Sequence, residues 1–374
     1  MEMINAHIHT FNIKNTPERF LQYGMPSFIP RFLHPTFKKI IQQKSIARVA
    51  AKLIKNPFLS KHLAFILIGL LETQDLIFEK VKKAYPEGSK FVVLPLNFKF
   101  IGLGKLQNTY TQQLDEMIEV KRKYPNTFLP FVHIDPRADK PSKNKEFVEK
   151  YIRKGFNGIK LYPPLGYYPF DPRLEKVYEF AEQNNLPILT HFGQGGIYYA
   201  GKNMPPEFQN PPSFIKEYDH KIIPNKKNIL FCDNFIHPDH FEAVLKRFPK
   251  LKICFAHFGW DFYKGKGKAL FKRKELFDKI KIMLMDPAYP NLYTDVSYSL
   301  ADKGFNKMLL KEIEENTDLA DKILFGTGFY MTTQEKQSES EFYLNFRGEM
   351  GEAIFQKMAV ENPRKFLSTE FFKL

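Results

Sequence analysis

LKICFAHFGW, residues 251–260, is the stretch whose reading decides the fold. Ile253, Cys254 and Phe255 make a short run that is apolar at successive positions, which reads as a strand buried on both faces. The run ends in His257, and a glycine-bearing turn, Phe258-Gly259, follows at once. PILTHFG, residues 187–193, repeats the design with His191 and then Phe192-Gly193.

Working outward, the same unit recurs along the chain. Apolar runs lie at Met3–His9, Phe91–Leu96, Phe128–Asp135, Gly158–Tyr162, Pro187–His191, Lys252–His257, Asn291–Val296 and Lys322–Thr327. Helical periodicity falls between them, over Tyr110–Tyr124, Lys145–Lys154, Leu174–Asn184, Pro238–Phe248 and Lys303–Glu315. Pro238-Asp239 is a favourable helix start. Strands apolar on both faces, alternating with helices, imply an α/β chain with a parallel sheet. Eight such units imply a closed (β/α)8 TIM barrel rather than an open sheet. The whole chain, 1–374, is therefore read as one domain. The long interval after the first strand is read as a helical insertion, residues 11–89, with apolar helical segments at Phe37–Ile54 and Leu63–Ala84. A second long interval, Phe192–Phe235, is rich in Gly, Pro, Asn and Tyr and reads as a loop over the substrate.

Composition narrows the function classes. The net charge is +15, but the basic residues are scattered and interleaved with acids. The densest patches, 121–123, 264–268 and 272–274, are short, so the charge reads as a solvated surface and not as a nucleic-acid site. The longest apolar run, Leu63–Leu71, has nine residues, whereas a membrane helix needs about twenty. The opening MEMINAHIHTF lacks the pattern of a secretion signal. Two cysteines, Cys232 and Cys254, fit a reducing, cytoplasmic setting. A small-molecule substrate, without nucleic acid or membrane, is the expected partner.

In barrels the C-terminal strand ends carry the chemistry. The first run ends in His7-Ile8-His9, and residues i and i+2 of a strand share a face, so the two imidazoles could chelate one cation or merely pack. Four of the ten histidines, His7, His9, His191 and His257, fall at three such ends, which favours a shared metal or catalytic site. Lys160 in the fourth run faces the barrel interior. It would pair with a carboxylate or anionic substrate, become a carbamate, or snorkel to the rim. His133 is read as a hydrogen-bonded core residue, Asp135 and Arg137 as cap and rim, and Asp295 as the partner of a histidine. His34, His62, His220, His237 and His240 are read as structural. ILFGTGFYM, 323–331, has no third glycine and closes the strand series, so it is no dinucleotide loop. GKGK at 265–268 lacks the phosphate-loop pattern.

Together these motifs resemble the amidohydrolase superfamily, in particular its amidohydrolase-2 branch of barrel hydrolases, lactonases and metal-dependent decarboxylases. The resemblance rests on HxH after the first strand, one histidine after the fifth and one after the sixth. It rests also on FGT-x-F at the last strand, on residues 237–260 and on VENPRKFL at 360–367. It implies that His7, His9 and His191 bind a divalent ion, commonly zinc, and that His257 binds a second ion or acts on the substrate. It implies that Lys160, when carboxylated, bridges two ions. The implied reaction is attack of metal-activated water on an amide, ester or lactone carbonyl of a small substrate. The alternative is decarboxylation of a small aromatic or unsaturated acid. Arg137, Tyr162, Trp260 and Tyr330, with Phe192, would line the pocket, and a homodimer is compatible with the resemblance. One departure stands out: the family presents an aspartate in the last strand as ligand and base, and here that position is Gly328. That departure also implies a third possibility, a catalytically impaired member. Asp261, four residues after His257, is the substitute carboxylate the sequence offers.

Overall fold

The structure, a computed structural model, describes residues 2–23, 36, 67–194, 196–216, 218, 222–264, 270, 273–332 and 337–372. Eight strands lie in sequence order in one sheet and every neighbouring pair is parallel. They are β1 (Ile4–Ile8), β2 (Lys90–Val93), β3 (Phe128–His133), β4 (Gly158–Leu161), β5 (Ile188–Thr190), β6 (Ile253–Phe255), β7 (Leu292–Asp295) and β8 (Ile323–Leu324). Each falls within an expected run except β2, which begins at Lys90, one residue before the expected Phe91. The last is the most shortened, because Phe325 N–H leaves the sheet to donate to Met358 O at 2.8 Å. The barrel closes beyond it: Ala6 N–H donates to Phe325 O and Gly328 N–H to His7 O, both at 2.8 Å, and Ile8 pairs with Phe329.

Among the described residues eight longer helices pack around the strands: α1 (Gln74–Lys82), α2 (Tyr110–Lys123), α3 (Pro141–Arg153), α4 (Glu175–Gln183), α5 (Pro238–Arg247), α6 (Arg273–Met285), α7 (Lys303–Glu315) and α8 (Glu339–Met350). Helix α2 starts at a capping box of Thr109 and Gln112. Helix α3 begins four residues before the expected Lys145, because Pro141 at its first position presets the helical φ. Helix α1 falls within the expected insertion, yet it packs outside β2 and β3, with the Phe78 ring 5.5 Å from Phe91 and 4.9 Å from Phe128. The Phe37–Ile54 segment lies outside the described residues. Among the described residues no helix is long and apolar enough to cross a membrane.

Alternation along the strands separates two cores. Ile4, Ala6, Val92, Leu94, Leu129, Phe131, Leu189, Cys254, Ala256, Tyr293 and Leu324 point inward, and Phe366 and Leu367 close the same cluster. Gly158 belongs to this inner layer: a Cβ there would lie 2.6 Å from the Phe131 ring, so the missing side chain makes room for the aromatic. Burying a phenylalanine in this way contributes about 2–3 kcal/mol.

The β8–β1 seam is held by a buried polar network. Asn5 Nδ2 donates to Tyr85 Oη at 2.8 Å and to Thr327 Oγ at 2.9 Å, while its Oδ1 accepts from His7 N–H and Thr327 N–H. Tyr85 Oη and Thr327 Oγ both donate to Glu339 on α8. Burial raises the Glu339 carboxyl from 4.5 to about 6, against the lowering effect of these bonds. A folded pKa above the unfolded one contributes stability that is complete below about pH 4.5 and is lost as pH rises through 6. Between pH 4.5 and 7 the protein should therefore lose about 2 kcal/mol relative to Glu339→Gln. Urea unfolding of both at several pH values checks this, and parallel curves would remove Glu339 from the account.

Candidate active site

Strict alternation in β1 would place Ile4, Ala6 and Ile8 on one face and Asn5, His7 and His9 on the other. The pairing with β2 prevents this. Asn5 faces Phe91 and Ile8 faces Val93, so β1 holds one residue more than its partner between those points. This bulge re-aims the strand end. His7 and His9 then meet His257 and His191 at the barrel mouth. Ring centroids are 5.1 Å apart for His7 and His9, 5.4 Å for His7 and His257, and 4.8 Å for His191 and His257. The structure thus brings together the four histidines singled out at strand ends.

Their hydrogen bonds assign their protons. His7 Nδ1 lies 2.8 Å from Asp295 Oδ2 and His9 Nδ1 lies 2.8 Å from Leu94 O. His257 Nδ1 lies 2.7 Å from Ser297 O and His191 Nε2 lies 3.0 Å from Gly193 O. Carboxylates and carbonyls only accept, so each of these nitrogens carries the hydrogen. Burial lowers His7 to about 4 and holds His9 and His191 well below their ordinary value, so these rings are neutral. What remains on His7 Nε2, His9 Nε2, His191 Nδ1 and, in its neutral form, His257 Nε2 is a lone pair. The last two face each other at 3.1 Å. Two lone pairs at that distance repel unless a cation or a shared proton stands with them. The donor set thus fits a divalent ion: neutral imidazoles, each with its other nitrogen tied to a carbonyl or carboxylate. Among the described residues no group of three His, Cys, Asp or Glu side chains forms a ready metal-holding array. His191 stacks on Tyr162, rings 4.2 Å apart, and is turned toward His257.

Asp295 ties the cluster to the backbone. Its Oδ2 holds His7, and its Oδ1 accepts from His257 N–H and Ser297 N–H at 2.9 Å and from the Ser297 hydroxyl. Burial alone would raise its pKa, but His7, His257 and Ser297 outweigh burial and hold it below the usual carboxylate range. The bond to His257 N–H stabilises a turn in which His257 and Phe258 both take left-handed φ, +72° and +47°. Such residues cost about 1–3 kcal/mol each and cluster at functional sites. Asp295 is the histidine partner expected from the sequence; Ser297 is not expected there, and its Oγ lies 2.9 Å and 3.0 Å from the Nδ1 atoms of His7 and His257.

The remaining sequence-named residues divide. Lys160 is fully buried and its Nζ has no hydrogen-bond partner, with burial lowering its pKa to about 7. Asp261 comes near the cluster: a Cβ built on Gly193 would lie 3.3 Å from Asp261 Oδ2, 3.2 Å from His257 Cδ2 and 3.8 Å from His191 Nε2. Tyr162 covers His191, and Ile197 N–H of the 192–235 loop reaches its hydroxyl at 3.4 Å. Tyr330 donates to Phe11 O and packs on Phe11, which in turn packs on His9. Trp260 stacks on Tyr263 and meets Phe305. Phe192 stacks on Phe255 in the outer core. Arg137 is occupied: its guanidinium binds both oxygens of Asp135 at 2.9 and 2.6 Å and also Phe100 O and Leu165 O.

Residues 100–369 match the sequence model of a family described as amidohydrolase. No curated protein matches the sequence. Among solved structures the chain is similar to an uncharacterized TIM-barrel protein from Bordetella bronchiseptica, at 18% identity, 98% coverage of each chain and a TM-score of 0.55. It is similar to 2,6-dihydroxybenzoate decarboxylase from Rhizobium, at 14% identity, 98% coverage of each and a TM-score of 0.53. It is also similar to a probable 2-pyrone-4,6-dicarboxylic acid hydrolase from Acinetobacter baumannii, at 11% identity, with 98% of this chain and 99% of that one covered and a TM-score of 0.51. At these identities the likeness is one of fold.

Gly328 follows β8 with φ +75°, and a Cβ there would lie 3.2 Å from Tyr298 N and 3.7 Å from Ser297 Cβ. A side chain at 328 thus heads toward the serine that touches His7 and His257, but from a backbone that L-residues rarely adopt. Gly328→Ala should cost about 1–3 kcal/mol, and Gly328→Asn less, because asparagine tolerates this region. Denaturant midpoints of the two variants check the order, which a relaxed φ at 328 would abolish.

Proposed function

The chain belongs to the amidohydrolase family, and from that premise we propose an enzyme that holds a divalent ion, zinc being the expected one, on His7, His9 and His191, with His257 against the substrate. The reaction proposed is hydrolysis of an amide, ester or lactone carbonyl of a small substrate. The observation that carries it is the set of lone pairs gathered on the buried, neutral rings of His7, His9 and His191, with His257 Nε2 facing His191 Nδ1 at 3.1 Å. A bound ion would supply Lewis acidity toward the carbonyl and acidify water. The chain's own residues do the rest. Asp295 keeps the hydrogen on His7 Nδ1 and fixes the ring. His257, partly exposed and set on its left-handed turn, presents Nε2 as the group able to take and return a proton. Tyr162 and the 192–235 loop cover His191. Cys232 and Cys254, both buried free thiols, suit the proposed cytoplasmic setting.

One observation favours a second reading, decarboxylation of a small aromatic or unsaturated acid. Hydrolysis is expected to draw on a last-strand carboxylate for the attacking water, and that position is Gly328, which leaves His257 alone to take the proton. Asp295 is occupied by His7, His257 and Ser297. Decarboxylation instead requires a held carboxylate and a proton donor, which the site supplies without a base at 328.

Metal analysis of protein purified without added ions should find about one ion or less per chain. It should find none in a His7→Ala, His9→Ala double variant and firmer retention in Gly328→Asp. Asp295→Asn, which disturbs the hydrogen on His7, should weaken the ion about 10–100-fold. If no form holds an ion, the metal reading fails. Panels of small esters, lactones and aromatic acids then separate the reactions: incorporation of labelled water oxygen marks hydrolysis and release of carbon dioxide marks decarboxylation.

A further inference from the structure

Two buried nitrogens beside the histidine cluster have no hydrogen-bond partner among the described residues. His133 at the end of β3 and Lys160 in β4 are register partners, and Ile134 N–H donates to Lys160 O at 3.1 Å just above them. Both side chains point inward, directly after the inward pair Phe131 and Gly158. Asn97 N–H donates to His133 Nδ1 at 2.9 Å. That nitrogen is therefore the acceptor, and the hydrogen of the neutral ring sits on Nε2. His133 Nε2 and Lys160 Nζ are both fully buried and without a hydrogen-bond partner among the described residues, the ammonium meeting only the face of the Tyr162 ring. Neither is an accidental cavity polar group, because each is a donor with no water-facing surface, and such groups need an explanation.

The nearby carboxylates cannot supply it. Asp135 is bound through both oxygens by Arg137. Asp295 is held by His7, His257 and Ser297. Adjacent parallel strands lie about 4.8 Å apart, a separation that the two oxygens of one carboxylate can bridge. Lys160 Nζ lies 5.7 Å from the centre of the Tyr162 ring, and that ring stacks on His191 at 4.2 Å, so an anion held here abuts the cluster.

We propose that His133 and Lys160 form a carboxylate-binding subsite, so that the substrate is a carboxylic acid whose acid group lies on the β3–β4 side of the four histidines. This rests on the proposed function in taking the histidines as the reacting centre. Here the lysine is an ammonium donor that positions the ligand, and His133 is the second positioning donor.

The test is calorimetric titration of benzoate, and of benzamide as its uncharged counterpart, into chelator-stripped and zinc-loaded protein. Benzoate should bind in both forms, and benzamide at least about tenfold more weakly. Lys160→Met should weaken benzoate about tenfold or more and leave benzamide unchanged, and His133→Phe should weaken benzoate severalfold. Lys160→Met should also raise the unfolding midpoint of ligand-free protein, because it removes a buried unpaired amine, which keeps the variant folded for the comparison. Equal binding of benzoate and benzamide, or benzoate affinity unchanged in Lys160→Met, overturns the proposal. So does a lysine carbamate signal in carbon NMR under labelled bicarbonate that vanishes in Lys160→Met. If the stripped protein binds benzoate as described and no form retains zinc, the subsite stands and the metal reading falls.

Discussion

A single ionised carboxylate with no exposed surface organises the mouth of this barrel. Removing a charge from water costs several kcal/mol, and the cost is met only by close partners. Asp295 has four: the His7 ring, the His257 and Ser297 amides, and the Ser297 hydroxyl. Each bond constrains something else. The first sets which nitrogen of His7 bears hydrogen. The second clamps the left-handed turn that swings His257 off the end of β6. The serine bonds hold the β7 end against both rings. The geometry of the histidines thus follows from one buried charge and the groups required to tolerate it.

Much of the scaffold was legible because its cause is local. A strand buried on both faces must be apolar at successive positions, and all eight such runs hold strands. Runs overshoot the strands at the ends, as at Lys322–Thr327, because apolarity continues where the backbone bonds have already turned elsewhere. The histidines were legible as a set of strand ends, but not their direction. INAHIH by simple alternation sends His7 and His9 to the face opposite Ala6, and only the mismatch with β2 turns them inward. That mismatch depends on a partner some eighty residues away and leaves no mark in the local pattern.

The residues that sequence reading treated loosely are those whose role depends on a neighbour in space. Arg137 was read as rim and substrate contact, and its guanidinium is tied to Asp135 two residues earlier. His133 was read as a satisfied core histidine, and it is satisfied on one nitrogen only. Ser297 carried no signal, since a serine after a strand is common. Its importance comes from standing between two rings contributed by β1 and β6. Lys160 was the exception: a lysine in an inward position of a buried strand is conspicuous without any structure, because it contradicts its surroundings.

The inner layer ends at its lower side against Phe366 and Leu367, with the Phe366 ring 5.4 Å from Tyr293. Apolar side chains from seven of the eight strands fill the axis above that floor. No molecule can traverse the axis of such a barrel, so it is a vessel closed at its floor. Whatever reaches the histidines from the C-terminal strand ends must leave by the same side. Residues at the sealed end are therefore free to answer only to cohesion, and those at the open end to traffic.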